Sequence, residues 1–177
     1  MKSKLIALSA ISASFITIVL SLGAYIELID MASIVIASVF VLMPLYYKSY
    51  LGSFLSYLAG GLLAFIISGF NFYSLVFVGY FGLFGLYPIV NFLFKEKSLN
   101  KYAAFIIKFI WFVGGMIGLY FYYTAFYGLD LSENLEFLRP YVLLIYSVFS
   151  VGFYFVFDYA INKLKRIIDY YLNRIIK

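Results

Sequence analysis

The stretch GAYIELID at residues 23–30 carries the first two carboxylates of the chain, Glu27 and Asp30. Long apolar segments flank it on both sides. The only earlier charges are two lysines near the N-terminus, and the next charged residue is Lys48. Because basic residues collect in the inner loops of membrane proteins, a short acidic turn between two apolar segments is typical of the outer face. We therefore interpret this turn as an outer loop.

The composition is that of a membrane protein. Of the 177 residues, 66% are hydrophobic and 12% are charged, and the mean hydropathy is +1.02. A soluble domain of this length could not bury so much apolar surface. The net charge of +5 comes from basic residues beside apolar runs, where they orient helices and meet anionic lipid, so nucleic acid is not an expected partner. The chain has no Cys and no His, and we expect no metal and no cofactor.

Six segments are long and apolar enough to cross the hydrocarbon core, which takes about 20 residues. They cover residues 5–24, 31–47, 51–68, 72–94, 102–127 and 140–161. The predicted fold is an all-α membrane protein with one transmembrane domain of six helices at residues 1–162.

The charges predict the orientation of these six spans, with both chain ends on the inner side. The inner side then holds these basic residues: Lys2, Lys4, Lys48, Lys95, Lys97, Lys101, Lys163, Lys165, Arg166, Arg174 and Lys177. The outer side holds five acids and one basic residue: Glu27, Asp30, Asp130, Glu133, Glu136 and Arg139. Five or seven spans would break this sorting.

Small residues four positions apart predict where helices pack closely, because apolar burial does not distinguish protein from lipid inside a bilayer. The third span has a series of five such residues, and the fifth span has a pair. The predicted packing positions are Gly52, Ser56, Gly60, Ala64, Ser68, Gly114 and Gly118. The series places the third helix centrally, whereas single pairs are common in membrane helices without a specific role.

The segment KLKRIIDYYLNRIIK at residues 163–177 has apolar residues at helical spacing with basic residues between them. This pattern predicts an amphipathic basic helix on the cytoplasmic side. Two interpretations are open. The favoured one is a helix lying on the inner leaflet, and the other is a docking helix for a cytoplasmic partner.

Two ionisable residues, Lys108 and Asp158, fall inside predicted spans, where charges are costly and are candidates for function. Both lie near the predicted inner ends of their helices. We expect the Lys108 ammonium to extend to the membrane interface. An ion pair between the two residues, across the fifth and sixth helices, is the alternative.

Polar and tyrosine side chains gather on the predicted outer face, where they could line a ligand pocket. The candidate ligand-binding residues are Glu27, Asp30, Asn71, Tyr73, Tyr120, Tyr123 and Tyr127. Tyrosines at this depth also anchor helices in the interface. The two carboxylates either touch a ligand or only mark a solvated outer loop.

Catalysis is not expected. Paired carboxylates can act as acid and base, but the sequence shows no accompanying signature of an intramembrane protease or transferase. It also lacks the phosphate-binding pattern GxxxxGK followed by Ser or Thr, so the chain is not expected to bind ATP in that way.

Several stretches resemble the membrane-embedded substrate-binding subunits, called S components, of energy-coupling factor transporters. These stretches are LIALSAISAS in the first span, LMPLYY ending the second, GSFLSYLAGGLLAF in the third and GLYPIVNFLF ending the fourth. More narrowly, ELID, LMPLYY and FGLYPI are similar to a group of uncharacterised bacterial proteins related to these subunits.

The resemblance implies a multi-pass protein of a bacterial plasma membrane that captures a vitamin-like micronutrient from outside. Its pocket would lie at the outer ends of helices four to six and under the loop at residues 23–30. The small-residue face of the first helix, with Ala7, Ala10 and Ala13, would dock on a transmembrane coupling subunit, while separate ATPases hydrolyse ATP. The alternative is a structural or scaffolding membrane protein with no small ligand, assembled through the third-helix series or the C-terminal helix.

Overall fold

The computed structural model describes residues 2–71, 74–97, 100–127 and 141–176. These residues are almost entirely helical and include no strand. Within them, six helical stretches are long and apolar enough to cross a membrane: Ser3–Tyr25, Asp30–Tyr47, Tyr50–Ile67, Leu75–Glu96, Lys101–Ala125 and Val142–Arg174. The predicted all-α membrane fold with six spans is confirmed.

The described residues form seven α-helices and three short turns of other helical types. The α-helices are α1 (Lys2–Tyr25), α2 (Asp30–Phe40), α3 (Tyr50–Ile67), α4 (Leu75–Gly79), α5 (Tyr87–Glu96), α6 (Lys101–Tyr127) and α7 (Val142–Ile176). The 3-10 turns are Glu27–Ile29 before α2 and Pro44–Tyr47 after it, and the π-helical turn Tyr80–Phe84 joins α4 to α5.

The fourth span is broken at this π-helical turn. The Gly85 N–H donates to the Tyr80 carbonyl oxygen, five residues back, at 2.9 Å. Pro88 lies in the first turn of α5, where its missing N–H costs no helical hydrogen bond. The break therefore precedes the proline, and α5 begins afresh at Tyr87.

Helices α1 and α3 pack closely through small and hydroxyl side chains. Ser56 Oγ donates to the Ser9 carbonyl oxygen at 2.9 Å, and Thr17 Oγ1 donates to the Gly60 carbonyl oxygen at 3.2 Å. A Cβ atom on Gly60 would lie 2.6 Å from Ile16 Cγ2. The third-span series thus lies against α1 of the same chain, with four of its members buried and one half-buried: Gly52, Ser56, Gly60 and Ala64, then Ser68.

Helix α6 packs on a different face from the one that its glycine pair predicted. A Cβ atom on Gly114 or Gly118 would meet nothing within 4 Å among the described residues, whereas one on Gly115 would lie 2.8 Å from Leu83 Cδ1. Phe112 is fully buried and lies on the packed face. Neighbouring positions point about 100° apart around a helix, so Gly114 and Gly118 face outward while Gly115 faces the core.

The sixth span and the predicted tail form one continuous helix, α7, of 35 residues. At about 1.5 Å per residue this helix is longer than the hydrocarbon core is thick, so its end extends beyond the membrane. Near that end, Tyr46 Oη donates to Asn173 Oδ1 at 2.6 Å, and Leu172 is buried. The tail is therefore held against the turn that ends the second span.

Candidate functional site

An ion pair lies inside the helical bundle, between α6 and α7. Lys108 Nζ is 3.0 Å from Asp158 Oδ1, and Lys108 is only 8% exposed. The ion pair that the sequence offered as the alternative is confirmed, and the expected extension of Lys108 to the interface is wrong. The reason is that α5 supplies a second acceptor beside the carboxylate, so the ammonium is hydrogen-bonded where it lies.

That second acceptor is Asn91, a fully buried residue of α5. Its Oδ1 accepts from Lys108 Nζ at 2.9 Å, and its Nδ2 donates to Asn162 Oδ1 at 3.0 Å. Lys95 Nζ donates to the same Asn162 oxygen, and Asn162 Nδ2 donates to Asp158 Oδ2 at 3.1 Å. Side chains of three helices are therefore joined in one hydrogen-bonded network.

Tyr87 completes this network on the side of the core. It is fully buried, and its Oη donates to Asp158 Oδ1 at 2.6 Å. Its ring packs edge-on against Phe112 at 5.5 Å and lies 5.8 Å from Lys108 Nζ. We call the six connected side chains the polar cluster: Tyr87, Asn91, Lys95, Lys108, Asp158 and Asn162.

The spacing of these residues explains how the cluster is assembled. Tyr87, Asn91 and Lys95 follow one another at intervals of four on α5, and Asp158 and Asn162 do so on α7. Residues four apart share one face of a helix. Polar residues at this spacing in two apolar segments are the signal for this cluster, which the predicted ion pair of Lys108 and Asp158 covered only in part.

A cavity of about 690 Å³ opens beside the polar cluster, between α5 and the start of α6. We call it the lysine cavity. Its lining combines three lysines, two asparagines and three apolar residues: Lys95, Lys101, Lys108, Asn91, Asn100, Phe94, Ala104 and Phe105. Among these described lining residues none is acidic.

A second cavity, of about 340 Å³, lies on the other side of Lys95. Its charged lining residues have both signs: Lys48, Lys95, Lys165, Glu96 and Asp169. Lys165 donates to Asp169, its neighbour one turn along α7. The second cavity therefore has charges of both signs, whereas the described lining of the lysine cavity has only positive ones.

The polar cluster places paired charges and hydrogen-bond donors beside the lysine cavity. Two charges inside a membrane span are costly unless each is paired and hydrogen-bonded. Asp158 accepts hydrogen bonds on both carboxylate oxygens, so it holds the cluster together, while the lysines reach the lysine cavity. This arrangement directs donors and positive charge toward the cavity.

The candidate ligand-binding residues of the predicted outer face that the structure describes do not line this cavity. Asp30 begins α2 and is half-buried, and its carbonyl oxygen accepts from Ser33 Oγ at 2.7 Å. Tyr120 of α6 packs against the Tyr146 ring of α7 at 5.0 Å. Asp30 and Tyr120 are thus both held by contacts elsewhere in the described part of the chain.

The remaining outer candidates divide into described and undescribed ones. Asn71 is exposed at the end of a described stretch, and Tyr123 is half-buried near the end of α6. The whole of Tyr73 and the side chains of Glu27 and Tyr127 lie outside the described residues.

The three candidate docking residues of α1 do not share one environment. Ala7 and Ala10 are exposed. Ala13 is half-buried, and its carbonyl oxygen would lie 2.9 Å from a Cβ atom on Gly60. A partner on this face would therefore meet Ala7 and Ala10, while Ala13 turns toward α3.

Comparisons with protein-family models, with curated proteins and with solved structures give no match.

Proposed function

We propose that the protein is a membrane-embedded binding subunit that holds a small molecule and serves a transporter of the energy-coupling factor type. The observation that supports it is the lysine cavity beside the polar cluster. A protein that only had to fold in the membrane would lose nothing by packing apolar side chains there. Replacing a buried ion pair by apolar residues of similar volume is often neutral or stabilising. Ionisable residues inside a span are instead functional candidates by default.

The position of the cavity refines what the resemblance implies. Capture from outside was expected at the loop of residues 23–30, whereas the lysine cavity lies near Lys95 and Lys101 at the opposite ends of the spans. In the orientation predicted from the charges, this is the inner side. In this proposal, the cavity holds the molecule at the point where it leaves the membrane.

The exposed face of α1 supports the proposed partnership with a coupling subunit. Ala7 and Ala10 are exposed, and so are the flanking Ile6 and Ile11, at 68% and 48%. Small residues between larger apolar ones let a second helix approach closely within a bilayer. The partner in this proposal is a transmembrane coupling subunit that works with separate ATPases.

Substituting leucine for Ala10 is expected to reduce recovery of a coupling subunit and ATPases about tenfold, because the larger side chain separates the two helices. The measurement is affinity purification of the tagged full-length chain from its native membrane in mild detergent, with quantitative mass spectrometry of what accompanies it. Thermal unfolding of the chain should stay unchanged, since Ala10 is exposed.

The matched control is Ala125→Leu, the same change at an exposed alanine on α6. It should leave the recovered partners unchanged. If the unaltered chain is recovered without any coupling subunit, the transporter role is contradicted.

A structural or scaffolding protein without a small ligand is the second candidate. Gly114 and Gly118 favour it, because a Cβ atom on either would meet no described residue within 4 Å, which leaves room there for a helix of another subunit. Assembly through the third-helix series is disfavoured, since those residues lie against α1 of the same chain. Native mass spectrometry separates the candidates: a retained small molecule supports the binding subunit, whereas an empty oligomer that Gly118→Leu dissociates supports the scaffold.

A further inference from the structure

We infer that the lysine cavity binds the phosphate group of an anionic molecule that also carries an apolar part. This inference rests on the proposed function only in treating the cavity as a ligand site. It does not depend on any coupling subunit or ATPase.

The sign of the ligand follows from the charges that face the cavity. Lys95, Lys101 and Lys108 line it, and its described lining contains no carboxylate. The nearest acid in the polar cluster, Asp158, already accepts from Tyr87, Lys108 and Asn162. One carboxylate therefore balances one lysine, and the cavity keeps an excess of positive charge for an anion.

The available hydrogen-bond donors suit a group with several acceptor oxygens. An ammonium has three N–H donors, and the described contacts of Lys108 to Asn91 and Asp158 use two of them. Lys101 is the first residue of α6, next to Asn100, whose Oδ1 accepts from the Tyr102 N–H at 3.1 Å. The positive end of the long α6 dipole thus adds to the field of the lysines. A phosphate, with up to two negative charges and three terminal oxygens, matches this set of donors.

The apolar lining indicates that the ligand is more than a phosphate ion. Phe94 of α5 and Ala104 and Phe105 of α6 supply its apolar lining, and Phe105 is 42% exposed. A small hydrated anion would gain nothing from such a lining, whereas burying an apolar group on it is favourable. The volume of about 690 Å³ also lies in the usual range for small-molecule sites.

Two sources share this chemistry: a phospholipid with a phosphomonoester headgroup, and a soluble phosphorylated molecule. The test uses the full-length protein in vesicles of phosphatidylcholine, which is zwitterionic. The reporter is the fluorescence of Trp111, the single tryptophan, which lies one turn after Lys108 on α6 and stacks on Tyr87 at 6.3 Å. The probes are dihexanoyl phosphatidic acid, dihexanoyl phosphatidylcholine with the same chains, and inorganic phosphate.

Phosphatidic acid is expected to give a saturable change in Trp111 fluorescence. The other two probes are expected to bind at least about tenfold more weakly. Lys101→Gln should weaken phosphatidic acid binding about tenfold, because one charged hydrogen-bond donor is lost. Lys163→Gln is the matched control, since Lys163 is exposed on α7 and does not line the cavity. It should leave the affinity unchanged.

Three results would overturn the inference. If phosphatidic acid and phosphatidylcholine bind with equal affinity, the site does not recognise a phosphate monoester. If inorganic phosphate binds with the same affinity as phosphatidic acid, the site binds a soluble anion and does not recognise an apolar part of the ligand. Equal weakening by Lys101→Gln and Lys163→Gln would mean that the lipid follows overall charge and not this cavity.

Native mass spectrometry distinguishes this failure from failure of the proposed function. If the purified chain retains a neutral molecule and binds no phosphatidic acid, the inference fails and the binding subunit stands. If it retains no molecule and binds none of the probes, both fail.

Discussion

Gly60→Leu is expected to destabilise the protein by at least about 3 kcal/mol, because it separates α1 from α3. Even the first added atom, a Cβ, would lie 2.6 Å from Ile16 Cγ2 and 2.9 Å from the Ala13 carbonyl oxygen. The backbone at Ala13 cannot move aside as a flexible side chain could. The hydrogen bond from Thr17 to the Gly60 carbonyl, at 3.2 Å, would be lost as the helices part.

Gly114→Leu provides the matched control, since a Cβ atom there meets nothing within 4 Å among the described residues. Both changes replace a glycine inside a membrane helix by leucine, so both gain about the same helix propensity. Thermal unfolding in detergent, followed by circular dichroism, should show a large decrease for Gly60→Leu and almost none for Gly114→Leu. Equal unfolding temperatures would contradict the packing of α1 on α3.

Asp158→Ala is expected to destabilise the protein by about 3 kcal/mol, because it leaves the Lys108 ammonium buried without its counter-charge. Tyr87, fully buried, would also lose the acceptor of its 2.6 Å hydrogen bond. Most of this cost arises because the Lys108 ammonium and the Tyr87 hydroxyl are left buried without their acceptor. The lost attraction between Lys108 and Asp158 contributes less.

A double-mutant cycle with Lys108→Ala tests this reason. The double variant should be more stable than the sum of the two single changes predicts, by about 2 kcal/mol, because it leaves no unpaired charge. Asp169→Ala is the control: Asp169 pairs with Lys165 one turn away, and its side chain is 38% exposed. Its loss should cost only about 0.5 kcal/mol. Additive effects of Lys108→Ala and Asp158→Ala would show that the two residues do not act as a pair.

The membrane fold could be predicted from the sequence because each side chain has its own preference for lipid or water, which depends on the residue type alone. The six spans follow from runs of apolar residues alone. The same preference singled out Lys108 and Asp158 as the charges inside a span, and their pairing was accessible as a hypothesis for that reason.

The faces that the helices turn toward each other could be predicted only in part. In α3 the small-residue series does lie against another helix. In α6 the same rule indicated Gly114 and Gly118, yet Gly115 makes the close approach to Leu83. The spacing in the sequence does not distinguish a glycine on the packed face of a helix from one on its exposed face. The side chains of the neighbouring helix decide which face is packed.

The sequence by itself therefore determined the class of protein, its six spans and the rarity of charge within them, because these depend on the transfer of single side chains between water and lipid. Only the tertiary structure decided the polar cluster and the lysine cavity. Asn91 and Asn162 lie 71 residues apart in the chain and meet because α5, α6 and α7 converge at one end of the bundle. Hydrogen bonds between helices depend on how each helix is rotated about its axis, and packing of the whole bundle sets that rotation.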